Sequence, residues 1–513
     1  MKKLKEKKIK DKKPKKIHKS NSVWYKIFAF ILIIATVFSF GYVIYNETFK
    51  LKDLLPILFI VIAVVTVIVF VLVKTKLRCW IKNILSFIAF LIIVCEALLC
   101  IYGVSTIKFL NNITDTGYRV ETYGIYVMSA SKYNELGDIA NEDLYYLTST
   151  EKGFESTLKK LKKEVDIKEE IEKDNIEDLL NALITGDTNV IMFPDSYESI
   201  LKEDQADKFD QIKKIYTVED VQYIKVIKTE KNVDGPFNVY ISGIDTTGNI
   251  AKSARSDVNI IMSINPNTGK VLLVSTPRDY YVKLNKNGKY DKLTHAGVYG
   301  IEESVKTLED LYDIKIDYYV RVNFTSFIKI IDTLGGVQVN IPKSFCEQPE
   351  NRDLSEEAQI CLNKGVQTLD GRKALAYARD RHDFANGDFD RGKHQMEIIE
   401  AIIKKASAST VISKYNSLIS SVEGRIKTNM DTEDIYKIAR RQLKDNTSWS
   451  ITREAAKGTP AFDYCYSGGG KASVVKADEK SIEYLKKLFK DNEQGRELTS
   501  ETTTTTTKTV KAN

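Results

Sequence analysis

Three long apolar segments near the N-terminus constrain the fold of this chain more than any other feature. They cover residues 22–45, 54–73 and 84–102, and their only charged residues are Lys26 and Glu96. Each is close to the roughly 20 residues that a membrane-spanning helix needs. None has the polar face that a helix on a soluble core presents to water. We therefore predict three transmembrane helices within residues 23–107, following a basic cytoplasmic tail at residues 1–22.

The basic residues predict how these helices are oriented. Residues 1–26 carry 12 lysines, and residues 74–82 add four basic side chains. Basic loops stay in the cytoplasm, so the chain beyond residue 107 is predicted to be extracellular. Residues 1–82 hold 18 basic and 4 acidic residues, which leaves 58 basic and 65 acidic residues for the rest. The net charge of +7 therefore reflects membrane topology and does not indicate nucleic-acid binding.

The extracellular part is predicted to be α/β throughout. Residues 112–230 alternate strand-like and helical patterns, which indicates a small α/β accessory domain. Residues 237–495 again alternate strands with helices, which predicts a mixed sheet covered by helices on both faces. The hairpin-type turn at residues 265–269 predicts that the strands on either side of it are antiparallel. The threonine-rich end, residues 496–513, is predicted to be disordered.

Short clusters of arginine and aspartate recur at the ends of strands and helices in the second extracellular segment. Arginine grips phosphate oxygens through a planar, bidentate fork, and nearby carboxylates favour a divalent cation. Taken singly, such clusters are more often surface salt bridges. Together they predict a site for a heavily phosphorylated ligand, formed by Arg255, Asp257, Arg278, Asp279, Arg379, Arg381, Asp388 and Arg391.

Two of the six cysteines flank a polar extracellular loop. Cys346 and Cys361 could form a disulfide there, because an oxidising compartment lets one persist. The spacing alone leaves their pairing open.

Residues 237–405 contain a series of distinctive motifs. In chain order they include YISGIDTTGNI, ARSDVNIIMSINPNTGKVLLVSTPRDYYV, YDKLTHAGVYG, IIDTLGGVQVNIP, LDGRKALAYARDRH and GDFDRGKHQ. These motifs, and their order, resemble those of the LytR–CpsA–Psr family of bacterial cell-wall ligases. A mild departure is Thr294, where the family more often has asparagine. Three membrane helices before an accessory domain resemble the capsule-associated subgroup of Gram-positive bacteria, although the accessory segment itself matches weakly.

The resemblance implies a transfer reaction. A teichoic-acid or capsular polysaccharide carried on undecaprenyl pyrophosphate would be moved onto peptidoglycan, with pyrophosphatase activity as a side reaction. Phosphoryl transfer of this kind depends on positioning and charge neutralisation. The implied partners are the lipid-linked glycan, peptidoglycan, membrane lipid and capsule-synthesis proteins, but no nucleic acid. The alternative is a non-catalytic membrane regulator that binds the lipid-linked polymer and controls its synthesis.

The resemblance also implies which residues act. Arg255, Arg278, Arg379 and Asp388 would be catalytic. The pyrophosphate would be bound by Arg255, Arg278, Arg379, Arg381, Arg391 and Gln395. Mg²⁺ (or Mn²⁺) would lie near Asp245 and Asp257. Asp279, Lys292 and His295 would support the site.

Several alternatives remain open from the sequence. Asp257 could pair with Arg255, and Asp388 could either orient an arginine or accept the proton of the acceptor hydroxyl. His382 and His394 are expected to face solvent. Valine, isoleucine, leucine and phenylalanine side chains of the sheet and its helices are expected to leave a groove for the polyprenyl chain.

Overall fold

The computed structural model describes residues 22–45, 51–74, 79–113, 118–147, 151–223, 233–244, 250, 253–349, 355–381, 383–384, 387–406 and 426–499. The chain divides into two compact units, Met1–Lys108 and Phe109–Asn513. Asp245, His382, the basic tail at residues 1–21 and the threonine run lie outside the described residues.

The first unit contains a helix over each apolar segment. These helices are α1 (Ser22–Tyr45), α2 (Leu51–Lys74) and α3 (Cys79–Ile113). Within the described residues, the stretches Val23–Gly41 of α1 and Trp80–Leu98 of α3 are long and apolar enough to cross a membrane. The apolar stretch of α2, Ile60–Val73, is shorter. The structure therefore supports membrane anchoring by two helices, and a third crossing remains a prediction.

The second unit begins with a mixed five-stranded sheet. The strand order is β3-β2-β4-β1-β5, with β2 parallel to β3 and β4, and β1 antiparallel to β4 and β5. The elements are β1 (Tyr118–Met128), β2 (Asp143–Tyr146), α4 (Glu151–Leu161), β3 (Glu169–Glu172), α5 (Ile176–Thr185), β4 (Val190–Pro194), α6 (Glu198–Asp204), α7 (Ala206–Phe209) and β5 (Ile212–Tyr223). This part of the chain has the predicted α/β character.

The rest of the second unit is organised around a six-stranded sheet of order β16-β11-β6-β7-β8-β17. Its pairs β6–β11 and β8–β17 are parallel, and β6–β7, β7–β8 and β11–β16 are antiparallel. The predicted mixed sheet and the antiparallel β7–β8 hairpin are therefore confirmed. The six strands are β6 (Phe237–Ile244), β7 (Ser256–Asn265), β8 (Lys270–Ser275), β11 (Tyr318–Asn323), β16 (Ile426–Thr428) and β17 (Ser450–Ala455).

Helices and small two-stranded sheets surround this central sheet. The helices are α8 (Leu293–Ala296), α9 (Ile301–Tyr312), α10 (Phe324–Leu334), α11 (Gly371–Arg379), α12 (Asp388–Ala406), α13 (Thr432–Asp445) and α14 (Glu479–Glu493). The remaining strands pair as β9 (Tyr281–Lys283) with β10 (Tyr290–Lys292), β12 (Val337–Ile341) with β15 (Gly365–Leu369), β13 (Phe345–Glu347) with β14 (Ile360–Leu362), and β18 (Gly458–Cys465) with β19 (Gly470–Ala477).

Two glycines allow the turns and close approaches that shape this unit. Gly335 ends α10 in the left-handed region, at a φ of 78°, where a side chain would be strained. Gly392 lies where α12 meets β8, and a Cβ there would come within 2.5 Å of the Ser275 hydroxyl. The helix that carries Arg391 can therefore lie directly against the sheet.

The accessory segment (residues 112–230) and the second segment (residues 237–495) share one hydrophobic core. Tyr197, Ile200 and Leu201, in and beside α6, pack in the same buried cluster as Val298 and Tyr299. The hydroxyl of Tyr197 donates to that of Tyr299 at 3.0 Å. Because this core holds α6 in place, the C-terminal end of that helix lies beside the second segment.

The structure also settles the cysteine pairing and the start of the C-terminal tail. Cys346 and Cys361 form a disulfide between β13 and β14. Arg496 and Leu498 belong to the predicted disordered tail, yet the Arg496 main chain accepts a hydrogen bond from Lys270 and Leu498 packs on the core. The ordered chain thus continues past the predicted boundary.

Candidate active site

The pyrophosphate-binding residues predicted from the sequence all line one cavity of about 570 Å³. This set consists of Arg255, Arg278, Arg379, Arg381, Arg391 and Gln395. Asp257 lines the same cavity. Residues separated by up to 140 positions in the sequence thus meet around one space, which argues against independent surface salt bridges.

The topology explains how these residues come together. Arg255 immediately precedes β7, and Arg278 follows β8 by three residues. Because β7 and β8 are antiparallel, the start of one and the end of the other lie at the same edge of the sheet. Arg379 is the last residue of α11, and Arg391 lies in the first turn of α12.

Apolar side chains form much of the remaining cavity wall. They come from strands β6, β7 and β11 and from helices α10, α11 and α12. They are Ile241, Ile244, Val258, Met262, Val320, Val322, Phe324, Phe327, Ile330, Leu375, Ile399, Ile402 and Ile403. The cavity therefore combines a cluster of guanidinium groups with the kind of lining expected of a groove for a hydrocarbon chain.

Arg278 is the most enclosed of the cavity arginines, with 7% of its surface exposed. Its Nη1 lies 3.2 Å from Asp257, its Nη2 3.1 Å from Glu203 and its Nε 3.6 Å from Asp279. Burial alone would lower the pKa of Arg278, but these carboxylates raise it above its usual value. The guanidinium is therefore held charged and fixed in orientation.

Asp257 pairs with Arg278 rather than with its neighbour in sequence, Arg255. Burial would raise the pKa of Asp257, but Arg278, Arg255 and Arg391 outweigh it and lower the pKa to about 2. Thr294 donates its hydroxyl hydrogen to the same carboxylate at 3.1 Å. The carboxylate is thus ionised, and the residue at the departure from the family pattern contacts it directly.

The sequence reasoning missed Glu203, which lies near the end of α6 in the accessory segment. Its carboxylate contacts Arg255 with one oxygen and Arg278 with the other. Burial would raise the pKa of Glu203, but Arg278 and Arg255 outweigh it and lower the pKa to about 2. No motif surrounds this residue, and the only sequence signal is the acidic pair Glu203-Asp204 at a helix end.

Lys292 and His295, predicted as supporting residues, are both buried. The Lys292 ammonium lies 2.9 Å from Asp204. Burial alone would lower the pKa of Lys292, but Asp204 raises it. His295 Nδ1 is 2.6 Å from Asp291, a residue with no exposed surface. Neither side chain lines the cavity, so a supporting role would have to act through other residues.

The remaining arginines have different environments. Arg379 donates from Nη1 to the main-chain oxygens of Gln348 at 3.5 Å and Pro349 at 3.2 Å. Its guanidinium also lies 5.1 Å from the centre of the Phe324 ring. Arg391 forms an ion pair with Asp388, which favours the orienting role for that carboxylate.

His394 is buried, contrary to the prediction that it faces solvent. It is 4% exposed and stacks on Tyr377 with ring centroids 4.1 Å apart. Burial lowers its pKa and so favours the neutral ring. Arg391, His394, Gln395 and Ile398 follow the helical period of 3.6 residues, so they share the buried face of α12.

The described residues supply part of a donor set for a divalent cation. Within the described ranges, no group of three or more histidine, cysteine, aspartate or glutamate side chains is arranged to hold a metal ion. Asp257 is an ionised carboxylate on the cavity wall, and Mg²⁺ is often bound by one or two carboxylates together with substrate phosphates. The residues present therefore fit a cation that binds together with a phosphorylated ligand.

Comparison with known proteins identifies the family of this chain. The LytR_cpsA_psr family model matches residues 195–490. The chain is 36% identical over 258 residues to the polyisoprenyl-teichoic acid–peptidoglycan teichoic acid transferase TagU of Bacillus licheniformis, covering 50% of this chain and 78% of that protein. It is 36% identical over 217 residues to the transferase TagT of Bacillus subtilis, covering 42% and 66%.

Among solved structures, the chain is similar to B. subtilis TagV, with 25% identity, a TM-score of 0.43, and coverage of 52% of this chain and 99% of that one. The family model covers more than half of the chain and includes every described arginine of the cavity. This protein belongs to the LytR–CpsA–Psr family.

Proposed function

We propose that this protein transfers an anionic glycopolymer from undecaprenyl pyrophosphate to peptidoglycan, as a phosphotransferase anchored in the membrane. The observation that carries this proposal is the dual character of the cavity, which is lined by five arginines and by an extended apolar wall. A polyprenyl pyrophosphate has the same two parts, a diphosphate and a hydrocarbon chain. The transferase names of the relatives TagU and TagT support the same reaction.

The proposed reaction is a phosphoryl transfer at the phosphorus that carries the polymer. The oxygen of a peptidoglycan hydroxyl forms a bond to this phosphorus, and the bond to the bridging oxygen breaks. Undecaprenyl phosphate leaves, and the hydroxyl proton passes to a carboxylate or water. Asp388 is the candidate acceptor, although its ion pair with Arg391 also fits an orienting role. Attack by water in place of the hydroxyl would give the pyrophosphatase side reaction.

The arginines supply what this reaction requires. Negative charge shifts onto the bridging oxygen and the equatorial oxygens in the transition state, and fixed guanidinium groups stabilise it without reorganisation. Arg278 suits this role because Asp257 and Asp279 hold its orientation. Arg379 suits it because main-chain oxygens and a ring fix it while leaving its charge uncompensated by those contacts.

We further propose that Mg²⁺ (or Mn²⁺) binds beside the pyrophosphate. Asp257 would hold it, with Asp245 from the segment outside the described residues. When bound, the cation would neutralise phosphate charge and favour departure of undecaprenyl phosphate. Asp257 would then be divided between the cation and Arg278, and Thr294 would keep the carboxylate in place.

The membrane arrangement completes the proposal. α1, α2 and α3 would all cross the bilayer, with the N-terminus in the cytoplasm and the second unit outside, as the basic loops predict. The donor lipid would then occupy the same bilayer as the enzyme. The polymer would be a teichoic acid or a capsular polysaccharide, and capsule-synthesis proteins would be further partners.

The test uses the full-length protein in detergent micelles. It is incubated with a lipid-pyrophosphate-linked glycan and peptidoglycan oligomers, with Mg²⁺ or with EDTA, and the covalent product is sought by mass spectrometry. We expect a product that requires Mg²⁺ and is absent with Arg379→Ala. Arg372→Ala is the matched control, because Arg372 is exposed on the same helix and does not line the cavity. Tight donor binding without product would refute the transferase and favour the regulator.

A further inference from the structure

Glu203 occupies the space between two arginines that the proposed function assigns to the pyrophosphate. One carboxylate oxygen contacts Arg255, and the other lies 3.1 Å from Arg278 Nη2. The Lys292 ammonium is 3.8 Å away. Three cations therefore converge on a single carboxylate, which comes from the accessory segment.

The contacts of Glu203 are the ones a phosphate group would make. Carboxylate and phosphate oxygens accept from the same guanidinium N–H donors, and each donor serves one strong acceptor best. A diphosphate that approaches Arg255 and Arg278 would therefore have to replace Glu203. If Glu203 stayed in place, the diphosphate would add to an excess of negative charge around Arg278, which already faces the carboxylates of Asp257 and Asp279.

Of the three carboxylates around Arg278, Glu203 is the most able to move. Its side chain is 35% exposed, against 17% for Asp257 and 23% for Asp279. Asp257 is also held by Thr294 at 3.1 Å. Moreover, a glutamate has one more rotatable bond than an aspartate, so its carboxylate can swing away while its main chain stays in place.

The next residue keeps that main chain in place. The Asp204 side chain is 4% exposed and lies 2.9 Å from the ammonium of Lys292 and 3.8 Å from His295 Nε2. The apolar face of α6 is anchored separately, through Ile200 and Leu201. The helix can therefore remain docked while the Glu203 carboxylate leaves the arginines.

We infer that Glu203 is a specificity-determining residue, a displaceable carboxylate that competes with phosphorylated ligands for Arg255 and Arg278. This inference rests on the proposed function. A donor diphosphate, with further contacts to the other arginines and the apolar wall, replaces the carboxylate. The product undecaprenyl phosphate has one phosphate fewer, so Glu203 re-enters more readily and favours its release.

The inference is tested by calorimetric titration of the full-length protein in detergent with inorganic pyrophosphate, at constant ionic strength in EDTA. Glu203→Gln keeps the shape of the side chain and removes its charge. We expect it to bind pyrophosphate on the order of tenfold more tightly than the wild type, because no charged competitor has to leave. Glu198→Gln, on the same helix but paired with Lys214 outside the cavity, is expected to leave the affinity unchanged.

Two further variants separate the possible failures. Arg379→Ala should weaken pyrophosphate binding, and no effect would contradict the proposed function itself. If Arg379→Ala weakens binding but Glu203→Gln leaves it unchanged or weaker, only the competitor role is refuted. Glu203→Asp keeps the charge on a shorter side chain and should fall between the wild type and Glu203→Gln.

A repeat with Mg²⁺ excludes one other role, and thermal unfolding checks the fold. Weaker binding by Glu203→Gln only when Mg²⁺ is present would identify a metal ligand and overturn the inference. A melting temperature close to that of the wild type is expected for Glu203→Gln, since Asp204 and the apolar face of α6 remain.

Discussion

Replacing Arg278 or Arg379 with alanine is expected to stop glycan transfer in both cases, but to affect stability very differently. Arg278 is 7% exposed and lies within 3.6 Å of the carboxylates of Asp257, Asp279 and Glu203. Its removal takes the ion-pair partner from Asp257 and Asp279 and leaves Glu203 to Arg255 and Lys292. Among the described residues, the contacts of Arg379 are main-chain oxygens and a ring, so its removal takes an ion-pair partner from no described carboxylate.

The size of this difference follows from the burial of the partners. Breaking a buried ion pair from one side costs about 3–5 kcal/mol of unfolding free energy. We take the lower end, about 3 kcal/mol, because Glu203 is 35% exposed and solvent screens its share. For a unit of about 400 residues, this free energy lowers the melting temperature by roughly 3–4 °C.

The corresponding loss for Arg379→Ala is small. Its cation–π contact with Phe324 is worth about 0.5–1 kcal/mol, and the freed carbonyls of Gln348 and Pro349 can bind water. Its melting temperature should therefore fall by only about 1 °C. Transfer should fall by about 100-fold or more in either variant, as when one preorganised donor is removed from a site of charge stabilisation.

The assay is thermal unfolding of the full-length variants in the same detergent, with transfer measured in parallel. Arg372→Ala serves as the control for loss of an exposed arginine from α11. The reasoning is refuted if Arg278→Ala melts with the wild type, or if Arg379→Ala loses as much stability as Arg278→Ala.

Two further predictions concern the disulfide and the acid range. The Cys346–Cys361 disulfide closes a loop with a sequence separation of 15 residues, so its reduction should destabilise the second unit by about 3 kcal/mol. Reduction should also weaken transfer, because it loosens the Gln348 and Pro349 carbonyls that hold Arg379. An unchanged melting curve and an unchanged transfer rate in dithiothreitol would contradict this prediction. The pKa of Asp257 is lowered to about 2, so its stabilisation is complete above its unfolded-state pKa of about 4 and is lost as pH falls through 2. The melting temperatures of wild type and Asp257→Asn should therefore converge as the pH falls from about 5 to about 2. A difference between the two melting temperatures that stays constant over this range would contradict the prediction.

Much of the site could be predicted because its residues stand beside strong local signals. The arginines lie at the ends of strands and helices, within motifs that the resemblance identifies. Partners distant in sequence could not be predicted in this way. Glu203 reaches Arg255 across 52 positions, from a segment with no motif. Asp257 pairs with Arg278 and not with Arg255 because the register of the β7–β8 hairpin brings Arg278 opposite Asp257.

The fold was predictable to a similar extent. The mixed central sheet and the β7–β8 hairpin follow from apolar runs and turn residues, and both are confirmed. The prediction that His394 faces solvent was wrong. A lone polar residue suggests exposure, whereas the helical period of α12 places His394 inward beside Gln395. The β18–β19 hairpin was not predicted because seven of the eight residues of β18 are partly or fully exposed, so the strand has no buried apolar face.

The hydrophobic core that joins α6 to the second segment limits how this protein can have evolved. An accessory module that merely precedes a catalytic domain could be lost or exchanged between lineages. In this protein, removal of the accessory segment would expose Leu284, Ala296, Val298 and Tyr299 to water. It would also leave Lys292 buried without Asp204. Recombination between relatives should therefore preserve this pair of surfaces together, so substitutions on α6 are expected to covary with substitutions at those positions.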